Sequence, residues 1–208
     1  MTAEFAALLA AWEWDAALLQ EVPPWWPPVL ARAADAQQRT ALTSRNAGLA
    51  LRRALAEHRP ELIKSNGGGC NAILARTAIA EDDAIRLRTW PERRVAQLAR
   101  LRDGTCVVNF HGSARVALAE AELERLWQRA LAWAANAPLI VGGDLNLRSP
   151  RAPDSDVVHV ASRDVDHIFV RGLEPTAPAD LLDRSTVVDE SRVELSDHVP
   201  ILVTLREG

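Results

Sequence analysis

Residues 104–146 read GTCVVNFHGSARVALAEAELERLWQRALAWAANAPLIVGGDLN, and this stretch decides the fold. Residues 104–113 open on a Gly turn and continue as a strand that carries Asn109 and His111 at its end. Residues 114–137 hold the clearest helical pattern in the chain. Residues 138–146 return to an apolar strand that ends in Asp144 and Asn146. A strand–helix–strand unit of this kind argues for α/β or α+β layers around sheets.

Further strands are predicted on both sides of this unit. DAALLQEV (15–22) reads as a buried strand ending in Gln20 and Glu21. It follows a helix over 2–14, where Phe5, Leu8, Leu9 and Trp12 fall at helical spacing. PPWWPP (23–28) breaks regular structure, because Pro lacks a donor and fixes φ. Residues 29–57 are rich in Ala and Arg and are predicted helical, with an interruption around 44–48. SNGGGCNAILART (65–77) is a Gly-rich turn leading into a strand, and AIRLRTW (84–90) alternates as a strand should. PERRVAQLARL (91–101) fits a strand or a short helix equally well. Residues 148–156 read as a loop, and DVDHIFVRG (164–172) and HVPILVTLRE (198–207) as strands. Repeats and inter-domain linkers are absent from the pattern, so residues 1–208 are expected to form a single domain.

Composition narrows the function classes. A chain of 208 residues with 48% hydrophobic and 25% charged residues is ordinary for a globular protein with a sizeable core. The net charge of −4 supplies no global basic field to attract nucleic acid. Lys64 is the only lysine, so Arg carries nearly all the positive charge. Cys70 and Cys106 lack metal-ligand spacing and read as small buried thiols. No apolar run reaches the length of a membrane span, and the N-terminus lacks a basic signal-peptide start. A cytoplasmic protein is the expectation.

Chemistry concentrates at strand ends. Strand side chains repeat every two residues, so Asp144 and Asn146 share a face. By the same alternation Asp166 lies on the face opposite His167 and Phe169. Asp197 and His198, in SDHVP (196–200), stand just ahead of an apolar strand. Each feature has an ordinary reading by itself. Glu21 is a surface carboxylate at a strand exit, GGDLN a turn, and His198 a structural histidine. Together they are the acids and bases of a hydrolytic, metal-assisted site. Asp166 is available to orient His198 and raise its basicity.

The set LLQEV (18–22), NAILAR (71–76), NFH (109–111), GGDLN (142–146), DVDHIF (164–169) and SDHVP (196–200) resembles the endonuclease/exonuclease/phosphatase superfamily of Mg²⁺-dependent phosphodiesterases. The segments occur in the family's order and run from residue 15 to the C-terminus. The resemblance implies a four-layer sandwich, two facing β-sheets flanked by helices, with the site at one end. It implies Mg²⁺, or Mn²⁺ in its place, bound by Glu21 with Asp197 near the metal. Asp144 and Asn146 would position the attacking water and the phosphate, and Asp166 would orient His198. His198 would contact the scissile phosphate or move a proton. Asn109 and His111 match the family's N-x-H segment, with His111 on the phosphate side. The implied substrate is phosphorylated: nucleic acid, a nucleotide or a phospholipid headgroup.

One departure is visible. Family members open with a strand carrying a Trp-Asn motif ahead of the first helix, and this chain opens in the helix, so the first family strand is expected to be missing. Either the chain starts late relative to the family, or it is a short form with weakened activity. The competing function is therefore a non-catalytic protein that keeps the fold and binds phosphorylated ligands or a partner. The short 146–166 loop and the acidic charge weigh against a dedicated DNA-repair nuclease. Trp25 and Trp26 are available to line a substrate groove.

Overall fold

A computed structural model describes residues 1–43, 69–90 and 92–208. Helix α1 (Thr2–Ala11) leads into strand β1 (Ala16–Val22), then helix α2 (Pro27–Ala33), β2 (Gln37–Leu42) and β3 (Cys70–Ala75). These three strands form an antiparallel sheet in the order β1-β3-β2. The chain continues through β4 (Ile79–Arg88), β5 (Arg94–Leu101), β6 (Cys106–Asn109), helix α3 (Val116–Ala134), β7 (Leu139–Asp144), β8 (Val158–Arg163) and β9 (Asp166–Arg171). They make a second sheet in the order β4-β5-β6-β7-β9-β8. Every neighbouring pair in it is antiparallel except β6 and β7, which run parallel because α3 carries the chain back between them.

The two-residue period of the strands builds the layers. Along β1, Ala16 and Leu18 face the larger sheet and, with Ile73 of β3, pack against Ala99, Leu101, Val107 and Ile140. Ala17 and Leu19 face the other way and pack with Leu9, Trp14 and Leu30 of the α1–α2 region. On the far side of the larger sheet, Leu98, Val108, Leu139 and Val141 pack against Leu123, Leu126, Trp127 and Ala130 of α3. The result is helix, sheet, sheet, helix, the four-layer α/β sandwich the sequence leads one to expect. Both cysteines are free and buried.

Two expectations change. The helix expected over 29–57 is confined, within the described residues, to α2, and Gln37–Leu42 is instead a strand hydrogen-bonded along β3. Ala and Arg are good helix formers, but propensity is a small term per residue, and pairing with a buried strand overrides it. The remainder of 29–57 lies outside the described residues from residue 44 onward. The single strand expected at 198–207 is two short ones, β14 (Ile201–Leu202) and β15 (Leu205–Glu207). The reason is a change of partner. β14 pairs with β11 (Asp180–Leu181), and β15 pairs with β10 (Leu173–Pro175). A further hairpin, β12 (Ser185–Val188) with β13 (Ser191–Glu194), lies in the same segment. The open choice at 91–101 resolves to a strand, β5.

Past the end of β6 the chain stays pressed against β7. Phe110 N donates to Gly142 O at 3.1 Å, and Gly112 N donates to Asp144 O at 2.8 Å. That closeness requires glycine on both sides. A Cβ on Gly143 would stand 2.1 Å from Phe110 O, and one on Gly112 would stand 2.4 Å from Leu145 O. Gly143 also holds φ at +133°, a conformation closed to other residues. Gly143→Ala is expected to destabilise the protein by about 3 kcal/mol or more, through backbone strain and the clash together. Chemical denaturation of the variant beside the parent checks this.

Candidate active site at the ends of β7 and β9

Antiparallel pairing of β7 with β9 places Asp144 directly opposite Asp166. Two carboxylates are thereby brought to one end of the sheet. The chain turns immediately after Asp144. Asn146 takes a positive φ of 53° and its N–H donates to Asp144 Oδ1 at 2.9 Å. The Asn146 side-chain amide donates to Gly112 O at 3.0 Å. Asn146 therefore fastens the GGDLN loop to the segment after β6.

Two histidines converge on Asp144. His111 Nε2 lies 3.5 Å and His198 Nε2 3.9 Å from Asp144 Oδ2. His198 also meets Asp166, with 2.7 Å between Nδ1 and Oδ2, and its backbone N–H donates to Ser196 Oγ at 3.0 Å. The acid–histidine pair expected from the sequence is thus formed in space from residues 32 positions apart.

Glu21 enters from the other sheet. The β1–β3 register shifts between Leu19 and Val22, and Glu21 sits at a φ of 53°, out of the ladder. Gln20, beside it, donates from Nε2 to Asn109 Oδ1 at 2.7 Å. Asn109 is fully buried and donates to Leu19 O at 2.9 Å and Ala72 O at 3.0 Å. Its amide ties the two sheets together directly beneath the site.

Electrostatics follow from this crowding. Burial pushes Asp144 up to about 6 from 3.8, and the nearby charges of Asp166 and Glu21 add to the rise; the Asn146 N–H and His198 oppose it. For His198, burial acts to lower the pKa. The Asp166 hydrogen bond and the charges of Asp166, Asp144 and Asp197 outweigh burial and leave it raised.

A cleft of about 440 Å³ opens over Asp166 and His198, lined also by Arg163, Asp164, Arg184 and Asp197. Arg184 donates to Asp197 O at 2.5 Å and to Glu194 at 2.9 Å. Donor atoms of Asp144, Asp166 and His198 lie within 4.8 Å of one another, a spacing that can hold a metal ion. Glu21 and Asp197, the ligands expected from the sequence, are not members of this trio. The charge of Glu21 is felt at Asp144, and Asp197 lines the cleft beside His198. The carboxylates of Asp144 and Asp166, with Glu21 and Asp197 near them, fit a hard divalent cation, which prefers oxygen ligands.

Some residues were not legible as site components. Arg163, at the end of β8, and Arg184, just before β12, line the cleft, and sequence pattern resolved neither strand. His167 is buried, and its Nε2 lies 2.6 Å from Leu147 O. A carbonyl only accepts, so Nε2 carries the proton. His167 Nδ1 then faces His159 Nε2 at 3.0 Å. This imidazole pair braces the loop after Asn146 against β9. Trp26 packs 5.8 Å from Phe5, within the apolar cluster around α1 and α2.

The sequence model of the endonuclease/exonuclease/phosphatase family matches residues 2–198. The chain belongs to that family. As an endonuclease/exonuclease/phosphatase family protein it is placed among hydrolases of phosphoester bonds. No curated protein matches it significantly by sequence. Solved structures share its fold. A humanized D. rerio TDP2 carrying 14 mutations superposes with a TM-score of 0.71 at 17% identity, covering 99% of this chain and 92% of that one. A family protein from Bacteroides thetaiotaomicron gives 0.70 at 17% identity, covering 98% and 89%. The human Nocturnin catalytic domain, with bound sulfate, gives 0.66 at 18% identity, covering 93% and 81%. No helix among the described residues is long and apolar enough to cross a membrane.

The raised Asp144 pKa carries a stability consequence. Its charged form is disfavoured in the fold, so the penalty is full above about 6 and gone well below 3.8. The gap corresponds to about 3 kcal/mol. Asp144→Asn keeps the acceptor for Asn146 N–H and removes the charge. It is expected to be more stable than the parent by about 1–3 kcal/mol at pH 7.5, with most of the gain lost by pH 4 and the rest gone near pH 3. Thermal unfolding across that pH range, without added divalent cation, tests the sign.

Proposed function

We propose that the chain is a divalent-metal-dependent hydrolase of phosphodiester or phosphomonoester bonds, acting by in-line attack of water on phosphorus. The observation that carries this reading is the convergence of His111 and the Asp166–His198 pair on the single carboxylate oxygen Asp144 Oδ2. Acid, base and charge-stabilising groups then lie within reach of one phosphoryl group.

Glu21 and Asp197, with Asp144 beside them, would hold Mg²⁺ or Mn²⁺, which supplies charge neutralisation on the phosphoryl oxygens and the leaving oxygen. The chain's own groups divide the remaining work. Asp144, ionised above about pH 6, orients the water and accepts its proton. His198, kept protonated to higher pH by Asp166, donates a hydrogen bond to a phosphoryl oxygen as negative charge grows there. His111, buried beside the same Asp144 oxygen, would contact the phosphate there. Asn146 fixes the loop that carries Asp144, and Asn109 holds the two sheets in place beneath it. Arg163 and Arg184 give the cleft two guanidinium groups suited to an anionic substrate, whether nucleic acid, nucleotide or phospholipid headgroup.

The test is turnover of bis(p-nitrophenyl) phosphate and p-nitrophenyl phosphate with Mg²⁺, with Mn²⁺ and with chelator. Cation-dependent turnover is expected, and Asp144→Asn and His198→Ala should each lower kcat by about 10³-fold or more. Turnover unchanged by chelator, or near-parental turnover in either variant, defeats the proposal. Binding of phosphorylated ligands without turnover would instead identify a non-catalytic family member.

A further inference from the structure

A fully buried carboxylate stands behind the site and is so far unaccounted for. Glu122 lies on the inward face of α3, among Ala119, Leu123 and Leu126, with no exposed surface. A charge in such surroundings is costly unless every oxygen is satisfied. Both are. Ser113 N–H donates to Oε2 at 2.9 Å and Ser113 Oγ–H to Oε1 at 2.7 Å. The Arg88 guanidinium, at the end of β4, pairs with Oε1. Glu122 therefore grips Ser113 with both oxygens, and Arg88 balances its charge.

Ser113 ends the short segment that carries His111. On the β7 side that segment is held by Phe110 N to Gly142 O, Gly112 N to Asp144 O, and Asn146 Nδ2 to Gly112 O. On the α3 side the grip is Glu122 on Ser113. His111 sits between these two sets of bonds. We infer that Glu122 is a positioning residue, which through Ser113 fixes the backbone of residues 110–113 and so sets His111 against Asp144. This rests on the phosphoesterase reading given above.

An ordinary structural role predicts something different. If Glu122 only staples α3 to the end of β4 through Arg88, its loss should lower stability and spare the site. The variants are Glu122→Gln, which keeps size, and Ser113→Ala, which leaves the buried ion pair intact. Each is also combined with His111→Ala. In folded protein, Glu122→Gln is expected to lower kcat on bis(p-nitrophenyl) phosphate about 10-fold, and Ser113→Ala by a smaller factor in the same direction. KM should change less than about 2-fold. In the His111→Ala background both further losses should vanish, because residues acting through one group are not additive.

A second measurement does not depend on activity. Histidine side-chain NMR should show the His111 ring signals moved or broadened in both variants, with those of His198 unchanged. Parental kcat in folded Glu122→Gln and Ser113→Ala overturns the inference. So does a full loss that persists without His111, or an undisturbed His111 signal. If the parent shows no turnover at all, the phosphoesterase reading fails, and the NMR comparison alone decides whether Glu122 positions His111. Should Glu122→Gln fail to fold, Ser113→Ala carries the same comparisons.

Discussion

The site depends on a close approach of two backbones. β6 and β7 run parallel, and their pairing does not stop where the strands end. It continues through Phe110 to Gly142 and Gly112 to Asp144, so the NFHGS and GGDLN segments leave the sheet side by side. Two glycines make this separation available, since a side chain at either would overlap a carbonyl oxygen. Everything chemical follows from it. Asp144 and His111 come from strands that are neighbours, and Asn146 can reach across to Gly112. Asp166 arrives from the antiparallel strand on the other side of β7.

The second constraint is the distance between the sheets. The apolar side chains packed between them favour contact without fixing a precise offset, because hydrophobic burial is not directional. Asn109 supplies direction. Its amide donates to carbonyls on both β1 and β3, and its oxygen accepts from Gln20. Buried hydrogen bonds of this sort are strict, since leaving a carbonyl unsatisfied costs more than the bond contributes when made. That fixes the end of β1, and with it Glu21, relative to β7.

Much of this was legible in the sequence, for reasons that differ from element to element. The helix at 116–134 was legible because its apolar residues repeat at helical spacing and pack on one side. Asp144, Asp166 and His198 were legible because charged groups at the ends of apolar strands are conspicuous. The role of Asn109 was not, since an amide at a strand end reads the same whether it faces substrate or a second sheet. Residues 37–42 misled because Thr40 is the one residue of QQRTAL with a strand preference, and a partner strand decides the conformation. The 198–207 run misled because it looks like one continuous strand, yet its two halves pair with different partners. Arg163, Arg184 and Glu122 were hidden because their significance lies in what folds next to them. No local pattern reveals that a glutamate on a helix will meet a serine nine residues earlier.

The residues of the site are mounted unequally. Asp144, Asp166 and His111 stand on or just beyond strands at the heart of the larger sheet. Asp197 and His198 belong to the 173–207 segment, whose strands pair only two by two and whose side chains are largely exposed. Backbone in small solvated ladders opens locally at lower free energy than backbone in a central strand. Amide protons around Asp197 and His198 are therefore expected to exchange with solvent sooner than those of β7 and β9. The candidate site thus joins a part on the central sheet to a part on small ladders, and the Asp166–His198 hydrogen bond links the two. Local opening of the 173–207 segment would change the cleft wall while leaving the carboxylates on β7 and β9 in place.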